Sequence, residues 1–400
     1  YAVNCKIVRT ILQLTARLFT LILDLMILEN RSIKPALIEF LKNKIVLLSG
    51  PRQVGKTWLS KTLSPSITYL NFDKTSDRKL ITNEEWARNT NLLVFDELHK
   101  MRSWKQWIKG VYDTEGLRQN ILVTGSARLD TYRKGGDSLA GRHHLVHLFP
   151  LSVKEVDSKN AESVVDLFLK YGGFPEPFLK GSDRSANLWR KSHLDVILRE
   201  DLLDLEKVRD IKSIELLVDL LADRVGSPIS LSSLARDLQV SPHTIKHWIQ
   251  ILENLYVIFV VTPYSQNIAK AILKEPKIYF HDTGRVTAGE PARLENLVAT
   301  HLFKRMHYLS DTEGHSTKLH YLRDKEKREV DFLTILNRKV EWLIVVKTTD
   351  DTISPALRYF AERISNQGAF QLVHKLKRER SVKGGPQIAA LPKFLSKLET

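Results

Sequence analysis

The amino-acid sequence predicts an α/β protein with several domains, and three observations lead to this prediction. The chain has 400 residues, more than one hydrophobic core usually covers, so two or three domains are expected. Residues 44–150 alternate short apolar runs with polar helical stretches, which is typical of a parallel sheet covered on both faces. Apolar positions with helical spacing dominate residues 151–265, and mixed strand and helix patterns return over residues 270–400.

These patterns divide the chain into four segments. Residues 1–28 form an N-terminal extension of helical character, and the sequence alone does not decide whether it belongs to the native fold. Its apolar run is interrupted by Asp24 and is too short to cross a bilayer, so we prefer a buried or partner-binding helix to a targeting segment and expect no stable membrane insertion. Residues 29–150 are expected to hold the parallel sheet, residues 151–268 a helical segment with a winged helix, and residues 269–400 a mixed α/β domain.

Composition and charge narrow the environment and the partners. The 61 Lys and Arg residues exceed the 46 Asp and Glu residues, so the net charge is +15, and the 43% hydrophobic content is typical of a globular protein. The single cysteine, Cys5, excludes an intramolecular disulfide and a cysteine-cluster metal site, which fits the cytoplasm. The positive balance allows a polyanionic partner, such as nucleic acid, nucleotide or anionic lipid, without selecting one.

Five apolar runs are the candidate strands of the first domain. They are Ile45–Ser49, residues 67–72, Leu92–Asp96, residues 121–125 and residues 144–149. Because helical stretches separate them, we expect parallel strands whose carboxyl ends share one edge of the sheet, and this is the edge where ligands bind.

A glycine-rich loop directly after the first strand is the strongest functional signal. Its residues, with the residue that opens the next helix, are Gly50, Pro51, Arg52, Gln53, Val54, Gly55, Lys56, Thr57 and Trp58. This G-x-x-x-x-G-K-T pattern lets successive backbone N–H groups face a phosphate, and the helix N-terminus adds its positive dipole. Lys56 is expected to reach the β- and γ-phosphates and the Thr57 hydroxyl to bind Mg²⁺, so the loop predicts ATP and Mg²⁺ as ligands.

The apolar strand Leu92–Asp96 ends in one acidic residue and is followed by a second, Glu97. Asp96 is expected at the same sheet edge as the loop, where it would hold the Mg²⁺ shell through water. Glu97 would be the general base that activates the attacking water. The alternative is a strand that simply ends in solvated acids, and the neighbouring loop makes this alternative the weaker one.

Two further residues are candidates for the reacting phosphate. Ser126 follows another strand and would contact the γ-phosphate or the attacking water, although a helix cap is an equal alternative. Arg142 follows a glycine and would act as an arginine finger that stabilises charge in the transition state, with a structural salt bridge as the equal alternative.

Together these features resemble the AAA-type ATPases of the P-loop class. More narrowly, the motifs at residues 50–57, 95–97, 122–127 and 139–142, with the Tyr-Gly-Gly-Phe-Pro phrase at residues 171–175, resemble a prokaryotic family that joins an AAA-like ATPase to a C-terminal domain of unknown function. The resemblance runs from about residue 30 to the C-terminus. It implies a Mg²⁺-dependent ATPase, and it implies a homo-oligomer if Arg142 completes the site of a neighbouring subunit.

The helical segment contains a helix-turn-helix pattern. Residues 229–238 are predicted to be a first helix, capped by Ser230 or Ser232, and residues 243–255 a second, with residues 257–261 as a wing strand. The second helix offers few groups for DNA: Thr244, Lys246, His243, His247 and Gln250, with Glu253 opposing them. DNA contact and a plain structural or protein-binding role are therefore equal alternatives.

The last domain resembles, through the same family, a PD-(D/E)XK nuclease fold. The resemblance assigns the helix carboxylate to Glu295, the strand aspartate to Asp331 and the lysine to Lys347, as a possible vestigial site. The expected Glu-x-Lys reads Val345-Val346-Lys347, so one metal ligand is missing and nuclease activity is not expected. A degenerate domain that binds nucleic acid remains open, since residues 325–328 and 375–383 are basic, although such runs are more often a solvated surface.

Several functions remain in competition. One is an ATPase that couples its nucleotide state to DNA or protein binding by the C-terminal domains. The alternatives are a slowly hydrolysing nucleotide switch that recruits proteins without DNA, and an ATP-regulated nuclease. A small-molecule kinase is the weakest alternative, because the acidic pair Asp96 and Glu97 suits water activation better than transfer to a substrate.

Overall fold

A computed structural model describes residues 27–116, 118–125, 139–157, 159–202, 210–265, 275–381 and 385–398. Over these residues, no helix combines the length and the apolar character that a membrane crossing requires.

The first domain is built on a five-stranded parallel sheet. Its strands are β1 (Ile45–Ser49), β2 (Ile67–Asn71), β3 (Leu92–Asp96), β4 (Asn120–Thr124) and β5 (His143–His147), in the order β2-β3-β4-β1-β5. Every neighbouring pair is parallel. The sheet confirms the predicted class and the five strands at nearly their expected bounds.

Both faces of the sheet are buried at the strands β1 and β3, which explains why these two strands are apolar almost throughout. Along β1, Ile45 and Leu47 join one core cluster, whereas Val46 and Leu48 join a second cluster on the other face. The accompanying helices are α1 (Lys34–Leu41), α2 (Lys56–Ser60), α3 (Thr75–Asn83) and α4 (Trp104–Glu115). Side chains on both faces of β1 are therefore buried, so polar and apolar residues do not alternate along this strand.

A helical segment follows the sheet. Its helices are α5 (Val153–Val156), α6 (Ala161–Tyr171), α7 (Pro175–Lys180), α8 (Asp183–Val196), a π-helical turn (Ile197–Asp201), α9 (Ile211–Ala222), α10 (Leu231–Asp237) and α11 (Pro242–Asn254). Gly172, after α6, has a φ of 78°, and a Cβ there would come within 2.0 Å of Asp282 Oδ1. The Tyr-Gly-Gly-Phe-Pro phrase thus marks a close approach to the C-terminal half that only glycine permits.

The helix-turn-helix pattern folds close to its predicted bounds. Ser230 caps α10 by accepting a hydrogen bond from Ser233 N, and Ser241 caps α11 by accepting one from Thr244 N. The strand after α11 is not a free wing. It is β6 (Ile258–Pro263), which pairs with two strands of the next sheet.

The C-terminal sheet has eight strands and mixed direction. With β6, they are β7 (Lys277–Phe280), β8 (Thr317–Arg323), β9 (Glu329–Leu336), β10 (Lys339–Lys347), β11 (Gly368–Val373), β12 (Arg380–Ser381) and β13 (Gln387–Ala390). The order is β12-β13-β11-β10-β9-β8-β6-β7. The pair β6 and β7 spans the boundary expected between residues 268 and 269. The remaining helices are α12 (Glu290–Glu313), α13 (Pro355–Ala361) and α14 (Leu391–Lys397).

A buried charged network joins the two halves at Glu155. Arg31 Nε lies 3.3 Å from Glu155 Oε1, and Lys304 Nζ, on α12, lies 2.5 Å from Glu155 Oε2. Burial alone would raise the pKa of Glu155, but Arg31 and Lys304 outweigh it and lower the pKa to about 2. Arg31 Nη1 also donates to Val54 O in the glycine-rich loop, at 3.1 Å. The network therefore connects the loop to the longest helix of the C-terminal half.

Candidate nucleotide site and a second charged cluster

The glycine-rich loop lies at the carboxyl edge of the parallel sheet and needs its two glycines. Gly50 has a φ of 144°, and a Cβ there would lie 2.2 Å from the carbonyl oxygen of Leu148. Gly55 has a φ of 101° and directly precedes α2. Their left-handed backbones curl the chain so that α2 begins at the loop, which is the geometry of a phosphate cradle.

Lys56 turns back across this loop. Its Nζ donates to Gly50 O at 2.8 Å and to Pro51 O at 2.7 Å, and the side chain is buried. Burial lowers the pKa of Lys56 to about 8, against the opposing effect of Glu97 and Asp96. The ammonium is therefore in a low-dielectric place, where among the described residues it donates to two carbonyl oxygens and an anionic oxygen would stabilise it.

Asp96 is the centre of a polar network at the ends of three strands. Thr57 Oγ1 donates to Asp96 Oδ2 at 3.1 Å, and Asn71 Nδ2 lies 3.4 Å from the same oxygen. The hydroxyl of Tyr69 also donates to Oδ2, and that of Thr124 donates to Oδ1. The carboxylate is thus held in a fixed orientation beside the first residues of α2.

Three members of this network were not predicted from the sequence: Tyr69, Asn71 and Thr124. A usable signal was present, because Asn71 and Thr124 are the last residues of the strands that flank β3. In the sheet register Asn71 pairs with Asp96, and Asp96 pairs with Thr124. Polar residues that end adjacent parallel strands meet at one edge, and this rule singles out both.

Glu97 lies next to this edge in a left-handed backbone conformation, with a φ of 57°. Its Oε2 lies 3.5 Å from His99 Nε2 and 3.8 Å from Lys100 Nζ. Burial, helped by the charge of Asp96, raises the pKa of Glu97, while Lys100 and Lys56 oppose the shift. A carboxylate with a raised pKa is a better proton acceptor, as a general base requires.

Arg52, at the tip of the loop, contacts the π-helical turn. Its Nη1 lies 2.9 Å from Asp201 Oδ1 and its Nη2 lies 2.7 Å from Glu200 Oε2. His193 Nε2 lies 3.2 Å from the backbone oxygen of Arg52. The sequence carried no sign of these three partners, because they reach the loop from about 150 residues away.

Ser126 and Arg142 were the two residues expected to contact the reacting phosphate. Ser126 lies outside the described residues. Arg142 precedes β5, where its carbonyl accepts from Ile45 N, so it lies at the amino edge of the sheet and away from the loop. Its side chain pairs with Asp113, with Nε 2.7 Å from Oδ1. Within one chain Arg142 is a surface ion pair, and a catalytic role is left only for the site of a neighbouring subunit.

The donor set at the loop fits Mg²⁺. Carboxylate and hydroxyl oxygens are the ligands that Mg²⁺ prefers, and Asp96 and Thr57 present both within 3.1 Å of each other. Thr57 and Asp96 are therefore the residues that would hold the ion.

A second charged cluster lies in the C-terminal sheet around Lys277. This lysine is fully buried, and its Nζ lies 3.0 Å from Glu295 Oε1 and 2.6 Å from Glu329 Oε1. The hydroxyl of Tyr279 donates to the same oxygen of Glu295 at 2.6 Å. Burial alone would lower the pKa of Lys277, but Glu295, Asp331 and Glu329 outweigh it and raise the pKa. The ammonium group of Lys277 is thus the counter-ion of these carboxylates.

Asp331 and Lys347, the other two residues of the expected vestigial site, lie on the neighbouring strands β9 and β10. Burial, reinforced by Glu295, raises the pKa of Asp331 well above its ordinary value, and Asp331 Oδ2 accepts from Val346 N at 2.7 Å. Lys347 follows Val346 at the end of β10. Lys277 was not predicted from the sequence, although a lone lysine at the start of an otherwise apolar strand is a sign of a buried charge pair.

Comparison with known proteins bears on the first domain. Residues 42–157 match a family model described as an AAA domain. This match confirms the AAA-type resemblance. The match to an AAA domain supports an ATP-binding ATPase. The matched residues include the whole glycine-rich loop, Asp96 and Glu97. Residues 163–291 and 292–394 match two further models, each described as a domain of unknown function, so these models do not support the nuclease resemblance.

The curated relatives are uncharacterized proteins. One from Mycobacterium tuberculosis is 31% identical over 244 residues, which cover 60% of this chain and 54% of that protein. One from Methanocaldococcus jannaschii is 26% identical over 345 residues, covering 76% of this chain and 74% of the relative. The chain spans about half the length of the mycobacterial relative.

Similar solved structures include the RuvB Holliday junction branch migration motor of Thermotoga maritima. It is 19% identical with a TM-score of 0.28, and the match covers 58% of this chain and 88% of that one. A signal transduction ATPase with numerous domains from Pyrococcus horikoshii is 14% identical with a TM-score of 0.23, covering 69% of this chain and 46% of that one. With TM-scores this low, these likenesses establish neither fold nor function.

Proposed function

We propose that this protein is a Mg²⁺-dependent ATPase whose nucleotide state controls how its C-terminal half is presented to a DNA or protein partner. The observation that carries the proposal is the grouping of Lys56, Thr57, Asp96 and Glu97 around one glycine-rich loop in the AAA domain.

Each of these groups has a role in hydrolysis. Lys56 exchanges its two carbonyl contacts for oxygens of the β- and γ-phosphates. Thr57 and Asp96 hold Mg²⁺, which when bound neutralises charge on the phosphates. Glu97 accepts the proton of the attacking water, and its raised pKa suits that role.

The Lys56→Ala variant tests the site. We expect ATP turnover to fall by at least about 100-fold, as when one preorganised electrostatic contact is removed from a transition state. Lys42→Ala, which removes an exposed lysine at the end of α1, is the matched control and should retain wild-type turnover. Full hydrolysis by Lys56→Ala would show that the loop has been assigned wrongly.

The Glu155 network supports coupling between the loop and the C-terminal half. Arg31 contacts both Val54 O and Glu155, and Glu155 contacts Lys304 on α12. A change in the loop on nucleotide binding is therefore expected to act on this buried charge network.

DNA and protein partners are separated by ATP turnover measured with and without duplex DNA across a salt series. Stimulation that weakens steeply with salt supports DNA, because contacts to phosphates release counterions. Turnover that is indifferent to DNA at every salt concentration supports a protein partner.

One observation favours the second candidate, a nucleotide switch that recruits proteins without DNA. Lys246 is the single Lys or Arg residue of α11, the helix that would read DNA, and Glu253 lies on the same helix. The strong phosphate contacts expected of a recognition helix are thus sparse.

The third candidate, an ATP-regulated nuclease, is disfavoured by Lys277. Its ammonium pairs with Glu329 and with Glu295, which is one of the two carboxylates expected to bind the metal. DNA cleavage that depends on Mg²⁺ and disappears in Asp331→Ala would restore that candidate.

A role for Arg142 in a neighbouring subunit is part of the proposal. It predicts that turnover per chain falls on dilution, and that Arg142→Ala abolishes the part that depends on assembly. Turnover that stays constant through the assembly range would exclude it.

A further inference from the structure

Two histidines and an aspartate cluster where the AAA domain meets α12. His147 is the last residue of β5, and His307 and Asp311 lie four residues apart on one side of α12. One ligand atom from each residue can be chosen so that all three atoms lie within 4.8 Å of one another. The three side chains are half-buried, and neither the nucleotide site nor the Lys277 cluster uses them.

The geometry of the cluster is already organised around the carboxylate. His147 Nδ1 lies 2.8 Å from Asp311 Oδ2, and the backbone N–H of His147 donates to the same oxygen at 2.9 Å. The rings of His147 and His307 lie 4.8 Å apart between centroids, at 64° to each other. Phe149 and Phe303 pack against this pair, so part of its surroundings is apolar.

The donor chemistry selects a class of ion. Two imidazole nitrogens and one carboxylate oxygen suit zinc and similar divalent transition metals, whereas Mg²⁺ prefers oxygen ligands alone. Zinc holds such ligands at about 2.0–2.2 Å, so two ligand atoms of one tetrahedral ion lie roughly 3.4 Å apart. Ligand atoms that are now up to 4.8 Å apart therefore need to close by up to about 1.4 Å, and His147 Nδ1 and Asp311 Oδ2, now 2.8 Å apart, need to open slightly if both bind the ion. A site of this kind keeps a fourth position for water or another ligand.

Access to the cluster is open. His147, His307 and Asp311 line a cavity of about 490 Å³, together with Ser310 and His320. An ion therefore has an entry path, and the polar residues Ser310 and His320 line the same cavity.

We propose that His147, His307 and Asp311 bind one divalent transition-metal ion, of which Zn²⁺ is the model, and that this ion fastens α12 to the AAA domain. His147 directly precedes Leu148, whose carbonyl oxygen faces the backbone of Gly50 in the phosphate loop. The ion would thus fix the C-terminal half at the residue next to that contact. This inference does not rest on ATP hydrolysis.

The alternative is a plain ion pair between His147 and Asp311, which would join the two halves without metal. The two explanations differ in what Zn²⁺ does. A metal site is stabilised by added Zn²⁺, because an ion that binds only the folded state raises its stability. An ion pair is indifferent to it.

Zn²⁺ binding to the full, untagged chain is the test, after chelator treatment and in excess Mg²⁺ to occupy the nucleotide site. We expect calorimetry to show one Zn²⁺ per chain and thermal unfolding to shift upward with added Zn²⁺. His307→Ala should weaken the affinity for Zn²⁺ by more than roughly 10- to 100-fold, because that is the loss when a residue that only hydrogen-bonds a metal ligand is replaced. The matched control, His315→Ala, removes a histidine just beyond the same helix and should change the affinity less than about twofold, which is below that range.

Two further measurements keep the test decisive if His307→Ala does not fold. Asp311→Asn keeps the shape of the side chain and should also lose Zn²⁺. Co²⁺ in the wild-type chain should give the visible absorption of a site with nitrogen ligands. Wild-type protein that binds no Zn²⁺ under these conditions, or His307→Ala that binds it as tightly as His315→Ala, would overturn the proposal.

Discussion

Two buried lysines, one in each half of the molecule, are placed in opposite electrostatic surroundings. Lys56 contacts two backbone carbonyls, and burial lowers its pKa to about 8. Lys277 contacts Glu295 and Glu329, and these carboxylates with Asp331 raise its pKa in spite of burial. Burial is similar, so the difference comes from the fixed anions nearby.

This comparison shows how a site for a ligand differs from a closed structural cluster. The AAA site leaves its lysine short of negative charge, so an incoming phosphate improves its electrostatic state. The C-terminal cluster has supplied its own counter-ions, so a cation from solvent would have to displace an ammonium that is already paired. One lysine is prepared for an anion, and the other already has its counter-ions.

The largest expected effect is at the open site. Glu97→Gln removes the proposed base and keeps its size, so ATP turnover should fall by about 100- to 10,000-fold while ATP still binds. Steady-state turnover and nucleotide binding by fluorescence measure the two quantities. If turnover persists, another group activates the water, and Glu97 is only a solvated acid at the end of β3.

Lys277→Met tests the closed cluster. Removing the ammonium leaves Glu295, Glu329 and Asp331 without their buried counter-ion, so the free energy of unfolding should fall by about 3–5 kcal/mol. Urea unfolding measures it, with Lys318→Met, an exposed lysine of β8, as the control. Recovery of stability with millimolar Mg²⁺ in Lys277→Met alone would show that the carboxylates still form a metal site.

The network that joins the two regions should depend on pH. The pKa of Glu155 is held at about 2, below its ordinary value of 4.5, so its ionised form stabilises the fold. That stabilisation, about 3 kcal/mol, is fully present above pH 4.5 and is lost as the pH falls towards 2. The stability difference between wild type and Glu155→Gln, measured by urea unfolding, should therefore shrink across this range. A difference that is constant with pH would exclude Glu155 as the titrating group.

The smallest effect is expected at the rim of the loop. Arg52 pairs with Glu200 and Asp201, but its side chain and that of Glu200 are partly exposed. Solvent screens such pairs, so Arg52→Ala should lower the free energy of unfolding by no more than about 1 kcal/mol. Urea unfolding checks this, and a loss as large as that of Lys277→Met would show that the turn at residues 197–201 is part of the core.

The folds of the two regions were predictable to different degrees. The five parallel strands followed from apolar runs, because a strand buried on both faces has no polar side, as the alternation along β1 between two core clusters shows. The role of β6 was not predictable. A wing strand and a sheet strand have the same apolar pattern, and only the pairing with β7 and β8 distinguishes them.

The sequence by itself determined the fold class and the phosphate loop, because the loop is a local motif whose glycines and lysine act within eight residues. It also placed Asp96 and Glu97 at the end of a strand that must reach the same edge. Only the tertiary structure decided which distant groups complete the charge balance. Tyr69 and Thr124 reach Asp96, Lys304 reaches Glu155, and Lys277 reaches Glu295 and Glu329. The physical reason is that a buried charge is paired with whichever group the fold brings near it. The positions of two residues along the chain do not indicate whether the fold brings them together.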